Sequence, residues 1–274
     1  MSDSSSPVPP GDRIDTTVPH NARVWNFFLG GKDNFEVDRA AAEQYRAAFP
    51  EIVDVARADR AFLARAVRYM VEEAGIRQFL DIGTGLPTLD NTHEVAQRLA
   101  PESRIVYVDN DPLVLVHARA LLAGDPQGAT DYIEADLREP DTMLRHAART
   151  LDFGQPVGIM LLGILHFLLD QEDPWAIVNR LVDAVPSGSH LALTHATQEL
   201  GGTANAEAQR SWNEKATVPL TARTRAQITG FFEQLELLEP GVVPLGRWRP
   251  EPAGGDAVEV AGYCAVGRKP PAAP

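Results

Sequence analysis

Between residues 77 and 196 the chain alternates short β-type runs with stretches of helical periodicity, and this alternation constrains its fold more than any other feature. The runs are Arg77-Gln-Phe-Leu-Asp-Ile, Arg104-Ile-Val-Tyr-Val-Asp109, Asp131-Tyr-Ile-Glu-Ala, Val157-Gly-Ile-Met-Leu-Leu and His190-Leu-Ala-Leu-Thr-His. Helical patterns fill the gaps at 89–99, 112–122, 142–149 and 174–184. A strand buried on both faces reads as a continuous apolar run. Parallel neighbours need a crossover of a dozen or more residues, usually a helix. The pattern therefore predicts βαβ units and an α/β fold with a doubly wound, mainly parallel sheet. Further on, the segment 199–216 predicts a helix over the sheet edge, and 224–230 a shorter one. Strand-like runs at 235–238 and 258–266 flank a Gly/Pro-rich stretch and predict an antiparallel C-terminal hairpin.

Upstream the periodicity is helical throughout. Val24, Phe27 and Phe28 share a face that Gly30-Gly31 ends, and a second helix is predicted over 36–48. A third, over about 52–73, carries Val55, Phe62, Leu63, Ala66, Val67 and Met70 on its apolar side. The Ser/Pro-rich start has no apolar h-region and reads as a disordered tail rather than a signal peptide. The organisation expected is a tail over 1–18, a helical N-terminal cap over 19–74 and a cofactor-binding domain over 75–270.

Twenty-five basic residues against 38 acidic ones leave a net charge of −13. That balance argues against binding that depends on broad phosphate neutralisation, so no nucleic-acid partner is expected. The longest apolar stretch, 157–169, is too short for a membrane span and contains His166. A single cysteine, Cys264, allows neither an internal disulfide nor a Cys-rich zinc site. A cytoplasmic setting follows as the expectation. Sequence alone leaves the oligomeric state open.

The chemistry concentrates at strand ends. Asp81-Ile-Gly83-Thr84-Gly85 closes the first strand, where glycines permit a tight turn and let a ligand approach the backbone. A dinucleotide fingerprint would need a third glycine, and Thr88 stands there instead. Asp109 ends the second strand, 24 residues after Gly85, near the interval for an acid that accepts from ribose hydroxyls. Its alternative role is to cap the helix opening at Pro112, which Asp111 fills better. After the third strand, Asp136 could accept from an exocyclic amine with Leu137 against the ring; an ordinary solvated loop acid is the equal alternative.

Taken together, these residues resemble the class I S-adenosylmethionine-dependent methyltransferases over roughly 77–268. The segment Ala22-Arg-Val-Trp-Asn-Phe-Phe-Leu-Gly-Gly-Lys-Asp-Asn-Phe, with Phe79-Leu-Asp-Ile-Gly-Thr-Gly-Leu-Pro-Thr, resembles a narrower group. That group is the S-adenosyl methyltransferase family once classed as a domain of unknown function, DUF574. The resemblance implies a Rossmann-like fold and S-adenosylmethionine as cofactor. It places Gly83, Thr84 and Gly85 along the methionine part and Asp81 near its ammonium. It also places Asp109 on the ribose, Asn110 against the adenine, Asp136 and Leu137 at the adenine edge and face, and Leu162 and Gly163 near the sulfonium.

Where many amino-directed methyltransferases carry an N/D-P-P-Y/F motif, this chain reads Leu162-Gly-Ile-Leu-His-Phe167. Acids typical of metal-dependent O-methyltransferases are missing there too, so no metal is expected. The leading expectation is methyl transfer to a small-molecule acceptor. A non-catalytic protein that binds S-adenosylmethionine or S-adenosylhomocysteine, and a nicotinamide-dependent oxidoreductase, stay open. His166 is the candidate base, with packing beside Phe167 as its alternative; His195 and Glu199 stand behind it. The other five histidines read as surface or helix residues. Arg23 or Lys32 would pair with the cofactor carboxylate, and the loop 30–35 would close over a ligand; a helix–helix turn with solvated charges is the equal alternative.

Overall fold

The structure is a computed structural model that describes residues 14–121, 124–250 and 259–271. Most of the expected tail lies outside the described residues, as does the start of the last predicted strand.

Three helices come first: α1 (Asn21–Phe28), α2 (Glu36–Ala48) and α3 (Ile52–Glu72). The alternating region follows as β1 (Gln78–Ile82), α4 (Thr92–Leu99), β2 (Arg104–Asp109), α5 (Pro112–Leu121) and β3 (Ala129–Glu134). It continues as α6 (Pro140–Ala147), β4 (Gly158–Leu162), α7 (Pro174–Asp183) and β5 (His190–Ala196). The chain ends with α8 (Gly202–Asn213), α9 (Arg225–Thr229), β6 (Glu236–Leu237), β7 (Val243–Pro244) and β8 (Gly262–Arg268). The sheet order is β3-β2-β1-β4-β5-β8-β6, with β7 also on β8. Strands β1 to β5 run parallel, and β8 lies antiparallel to β5, β6 and β7. The fold is therefore the predicted Rossmann-like one. The C-terminal hairpin is real in the β6–β8 pairing, and β8 inserts between β5 and β6.

The near-continuous apolar runs follow from two-sided burial. Along β1, Phe79 packs under α3 and α4, while Leu80 and Ile82 face the opposite layer with α6 and α7. The N-terminal helices are not a separate body. Val24, Phe28, Tyr45, Val55 and Phe62 share one core with Phe79, Met160 and Ala192 of the sheet. Burial of that continuous apolar surface fixes α1 to α3 over the strand ends.

Strand order reverses between β1 and β4, because the chain winds outward to β3 and then returns to the other side of β1. In open α/β sheets a crevice forms outside the carboxyl ends of strands at such a point. Every site residue described below lies at or above that end of the sheet. Among the described residues no helix is long and apolar enough to cross a membrane.

Candidate active site

A cleft of about 230 Å³ opens at the switch point and collects residues from strand ends and helices. The strand ends contribute 81–86, 108–110, 135–138, 162–164 and 166–168, and the helices contribute residues of α1, α2, α3 and α8.

The turn after β1 requires glycine at two places. Gly83 has φ +74°, and a Cβ on it would lie 2.7 Å from Ile164 Cγ1, so nothing larger fits against the β4 end. Gly85 has φ +66° and donates its amide to Asp109 Oδ2 at 2.8 Å. Gly83 and Thr84 donate to the Val108 carbonyl, which draws the turn onto the end of β2. The other carboxylate oxygen of Asp109 accepts from the Asp111 amide at 2.9 Å. Burial raises the Asp109 pKa, and the two amide hydrogen bonds oppose that rise.

Asp81 sits beneath the turn. Its Oδ2 accepts from the Thr92 hydroxyl at 2.6 Å, and burial pushes its pKa up to about 6. Asn110 is exposed at the cleft rim. Asp136 is gripped by the Arg138 guanidinium and amide, and Arg138 also pairs with Glu172. Leu137 is buried beside it, and Leu162 and Gly163 line the cleft at the end of β4. The structure thus brings ten of the eleven expected cofactor residues to one cleft.

Arg23 is the exception. Its guanidinium forks onto both oxygens of Asp111, at 3.0 and 3.1 Å, with only 3 % of the residue exposed. Asp111 also accepts from the Leu113 amide at the start of α5. Arg23 therefore ties α1 to the β2–α5 junction, and it does not line the cleft. The expectation that it reaches a ligand carboxylate is corrected by this pairing: its charge is already neutralised in the core. Lys32 is exposed and away from the cleft. The cation at that end is Arg60 of α3, which lines the cleft and donates to the Leu89 and Asp90 carbonyls.

The loop 30–35 does not close over the cleft either. Asn34 donates to Asn26 Oδ1 and to the Gly31 carbonyl, so the loop is a tight joint between α1 and α2. The roof is α1 itself, through Val24, Trp25 and Phe28.

His166 lies in the turn Leu165–Phe167 and lines the cleft. Its ring is packed edge-on to His195 at 5.6 Å, and its Nδ1 is buried without a hydrogen-bond partner among the described residues. Burial, then His195 and Arg223, hold its pKa well below the usual histidine range, so the ring is neutral near pH 7. A base works best with a pKa near the working pH, and this environment moves His166 away from that. His195 is away from the cleft lining. Its Nδ1–H faces the Ala196 carbonyl at 2.8 Å, which leaves Nε2 to accept from Arg223 at 3.0 Å. Glu199 accepts from the Arg225 amide at the start of α9. One further histidine differs from the expectation of a surface or helix residue: His190 is buried in β5. His93 is on α4, with its ring buried against the Tyr107 hydroxyl.

Two residues that matter here were not singled out from sequence. Arg223, 1 % exposed, donates to the Leu165 and Leu168 carbonyls, His195 and Asp170, and so holds the turn that carries His166. Nothing in its sequence context marks it. Asp59 is 7 % exposed and lines the cleft. A signal existed for it: it falls between Val55 and Phe62 on the apolar side of α3, where an acid interrupts the pattern. Among the described residues no three metal-ligating side chains come together.

An open, mainly parallel sheet, a cleft at its switch point, and a glycine turn bonded to the acid that ends β2 define a class I methyltransferase architecture. Residues 8–270 match the family described as S-adenosyl methyltransferase, and the chain belongs to that family. It is 44% identical to a DUF574 family protein from Streptomyces avermitilis MA-4680, with TM-score 0.91, covering 94% of this chain and 100% of that one. It is also 44% identical to a candidate methyltransferase from Thermobifida fusca YX, with TM-score 0.86, covering 97% and 100%. An O-methyltransferase family 2 protein from Planctomyces limnophilus, solved in complex with apigenin, shares the fold at 14% identity. Its TM-score is 0.50, with 85% of this chain and 66% of that one covered. No curated protein matches the chain.

Proposed function

We propose that this cleft binds S-adenosylmethionine and transfers its methyl group to a small-molecule acceptor. The observation that carries the reading is the Gly85–Asp109 hydrogen bond, which seats a carboxylate and a bare backbone turn side by side at the switch point. The donor set suits the cofactor charge for charge. A carboxylate oxygen holds more than one acceptor site, so Asp109 keeps capacity for the ribose diol beyond its two amides. Asp81 offers an anion to the ammonium. Arg60, rather than Arg23, offers a cation to the carboxylate. Gly83 and Thr84 leave the backbone open along the methionine part, Asn110, Asp136 and Leu137 border the adenine, and Leu162 and Gly163 border the sulfonium.

The cofactor supplies an already activated methyl group, so the protein has no electrophile to create. Its residues align the acceptor with the carbon–sulfur axis, an effect worth roughly 7–11 kcal/mol as effective molarity. The apolar lining from α1, α3 and α8 excludes water, which strengthens the local electrostatics. A hollow walled by Trp25, Phe28 and Trp212 fits a small molecule better than a polymer, and the chain's net charge of −13 supports the same choice. The apigenin complex of the Planctomyces protein is in keeping with an acceptor of that size.

Calorimetric titration with S-adenosylhomocysteine and with NAD separates this reading from the oxidoreductase one. Binding of the first alone is the expected result. Transfer of labelled methyl from S-adenosylmethionine to any member of a metabolite panel then separates an enzyme from a binding protein.

A further inference from the structure

The cleft has a second half that the cofactor residues do not use. Four aromatic rings from three helices form an unbroken wall there. Trp25 meets Phe28 at 6.2 Å, Phe28 meets Tyr45 at 6.2 Å, and Tyr45 meets Trp212 at 6.1 Å. All four line the cleft, together with Ile52 and Leu63. Into the same space comes the carboxylate of Asp59 of α3, 7 % exposed and lining the cleft. Its neighbours are the Thr194 hydroxyl on β5, the Arg60 guanidinium and the Asp81 carboxylate.

A buried carboxylate with one hydroxyl and one cation beside it keeps acceptor sites that a cationic ligand can fill. With Asp81 at the end of β1 and Thr194 on β5 as its neighbours, Asp59 lies near the end of β4 between those strands, where the sulfonium is read to sit and an acceptor must approach. Aromatic faces attract cations and flat rings alike. Resting on the methyltransferase reading above, we propose that the acceptor is an apolar, ring-containing amine whose ammonium is held by Asp59 against the aromatic wall.

The chemistry balances. The ammonium gives one proton to the Asp59 carboxylate and becomes a neutral amine. Its lone pair forms the new nitrogen–carbon bond as the carbon–sulfur bond breaks and its pair returns to sulfur. The product leaves as a methylated ammonium, and the proton on Asp59 passes to water. Burial raises the Asp59 pKa, which brings its basicity closer to what that transfer needs.

The test uses three matched probes on the full-length protein loaded with S-adenosylhomocysteine: 2-(aminomethyl)naphthalene, 2-naphthalenemethanol and 2-naphthoate. The amine is expected to bind at least tenfold more tightly than the alcohol, and the carboxylate least. In Asp59→Asn the amine should fall to the level of the alcohol while the alcohol binds as before. Equal or tighter binding of the alcohol or carboxylate by the wild type, no binding of any of the three, or an amine preference that survives in Asp59→Asn overturns the proposal. The wild-type ranking decides even if the variant folds poorly. Failure to take up S-adenosylhomocysteine at all would instead remove the reading on which the proposal rests.

Discussion

The amide of Gly85 donates to Oδ2 of Asp109 at 2.8 Å, so the turn after β1 and the acid ending β2 are one unit rather than two neighbouring motifs. The carboxylate shapes the turn as well as facing the cleft. Asp109→Ala should therefore lose ligand contact and turn geometry together. Hydrogen bonds to charged groups contribute about 1.5–3 kcal/mol, so the affinity for S-adenosylhomocysteine should fall by roughly 10- to 150-fold. In Asp109→Asn one side-chain oxygen becomes an NH₂ that cannot accept from either amide, and an intermediate loss is expected. Calorimetry on the three proteins checks the order.

Arg23 and Arg60 should separate cleanly. Arg23→Ala leaves Asp111 charged, buried and short of its forked partner, a change that costs about 3–5 kcal/mol. A large drop in melting temperature is expected, with S-adenosylhomocysteine affinity little changed where the protein is still folded. Arg60→Leu should do the reverse. It should weaken S-adenosylhomocysteine by about tenfold or more, yet leave 5′-methylthioadenosine, which has no amino-acid carboxylate, unaffected. Equal losses for both ligands would remove Arg60 from the carboxylate.

Much of this arrangement is legible in the sequence, and the exceptions have physical reasons. The central strands declare themselves because two-sided burial favours apolar residues along them, while the edge strand β3 is half-buried and reads less clearly. The glycine turn and Asp109 are legible because backbone strain and a strand-end carboxylate leave local marks. Arg23 was misplaced because its partner, Asp111, lies 88 residues away, and an arginine near a predicted cleft looks the same whether it is free or paired. Arg223 left no mark for a similar reason. It serves carbonyls at Leu165 and Leu168 that only the folded turn brings together. Asp59 could have been found, since an acid at an apolar position of α3 contradicts the pattern around it.

The buried Asp81 makes a pH prediction. Its pKa is raised by burial to about 6 from an ordinary value of 3.8. Below pH 4 the group is protonated whether the chain is folded or not, and it costs nothing. As pH rises through 6 the folded protein bears the full cost of the buried charge, about 3 kcal/mol at 1.36 kcal/mol per pH unit. Asp81→Asn should therefore gain stability on the wild type between pH 4 and pH 7, a gap that denaturant melts at both values would read. Ligand affinity should run the other way. An ionised Asp81 suits the ammonium, so wild-type S-adenosylhomocysteine binding should weaken as pH falls below about 6, while Asp81→Asn binds weakly at every pH.

Arg223 gives a prediction about the turn after β4. Its guanidinium joins two carbonyls, His195 and Asp170, and stacks over Trp175 at 5.1 Å. Arg223→Ala should destabilise the protein by several kcal/mol because the buried carbonyls lose their donors. Arg223→Lys should recover only part of this, since one ammonium cannot span the same four acceptors. Thermal melts check the ranking, and hydrogen exchange at 165–168 should rise in both variants.

The most direct measurement is a calorimetric titration of S-adenosylhomocysteine into the wild-type protein and Asp109→Ala, side by side. Saturable binding at one site per chain, weakened at least tenfold by the substitution, is the predicted result. No heat and no shift in melting temperature with either S-adenosylhomocysteine or S-adenosylmethionine, or equal binding by the two proteins, would contradict the assignment of the Gly85–Asp109 unit as the cofactor cradle.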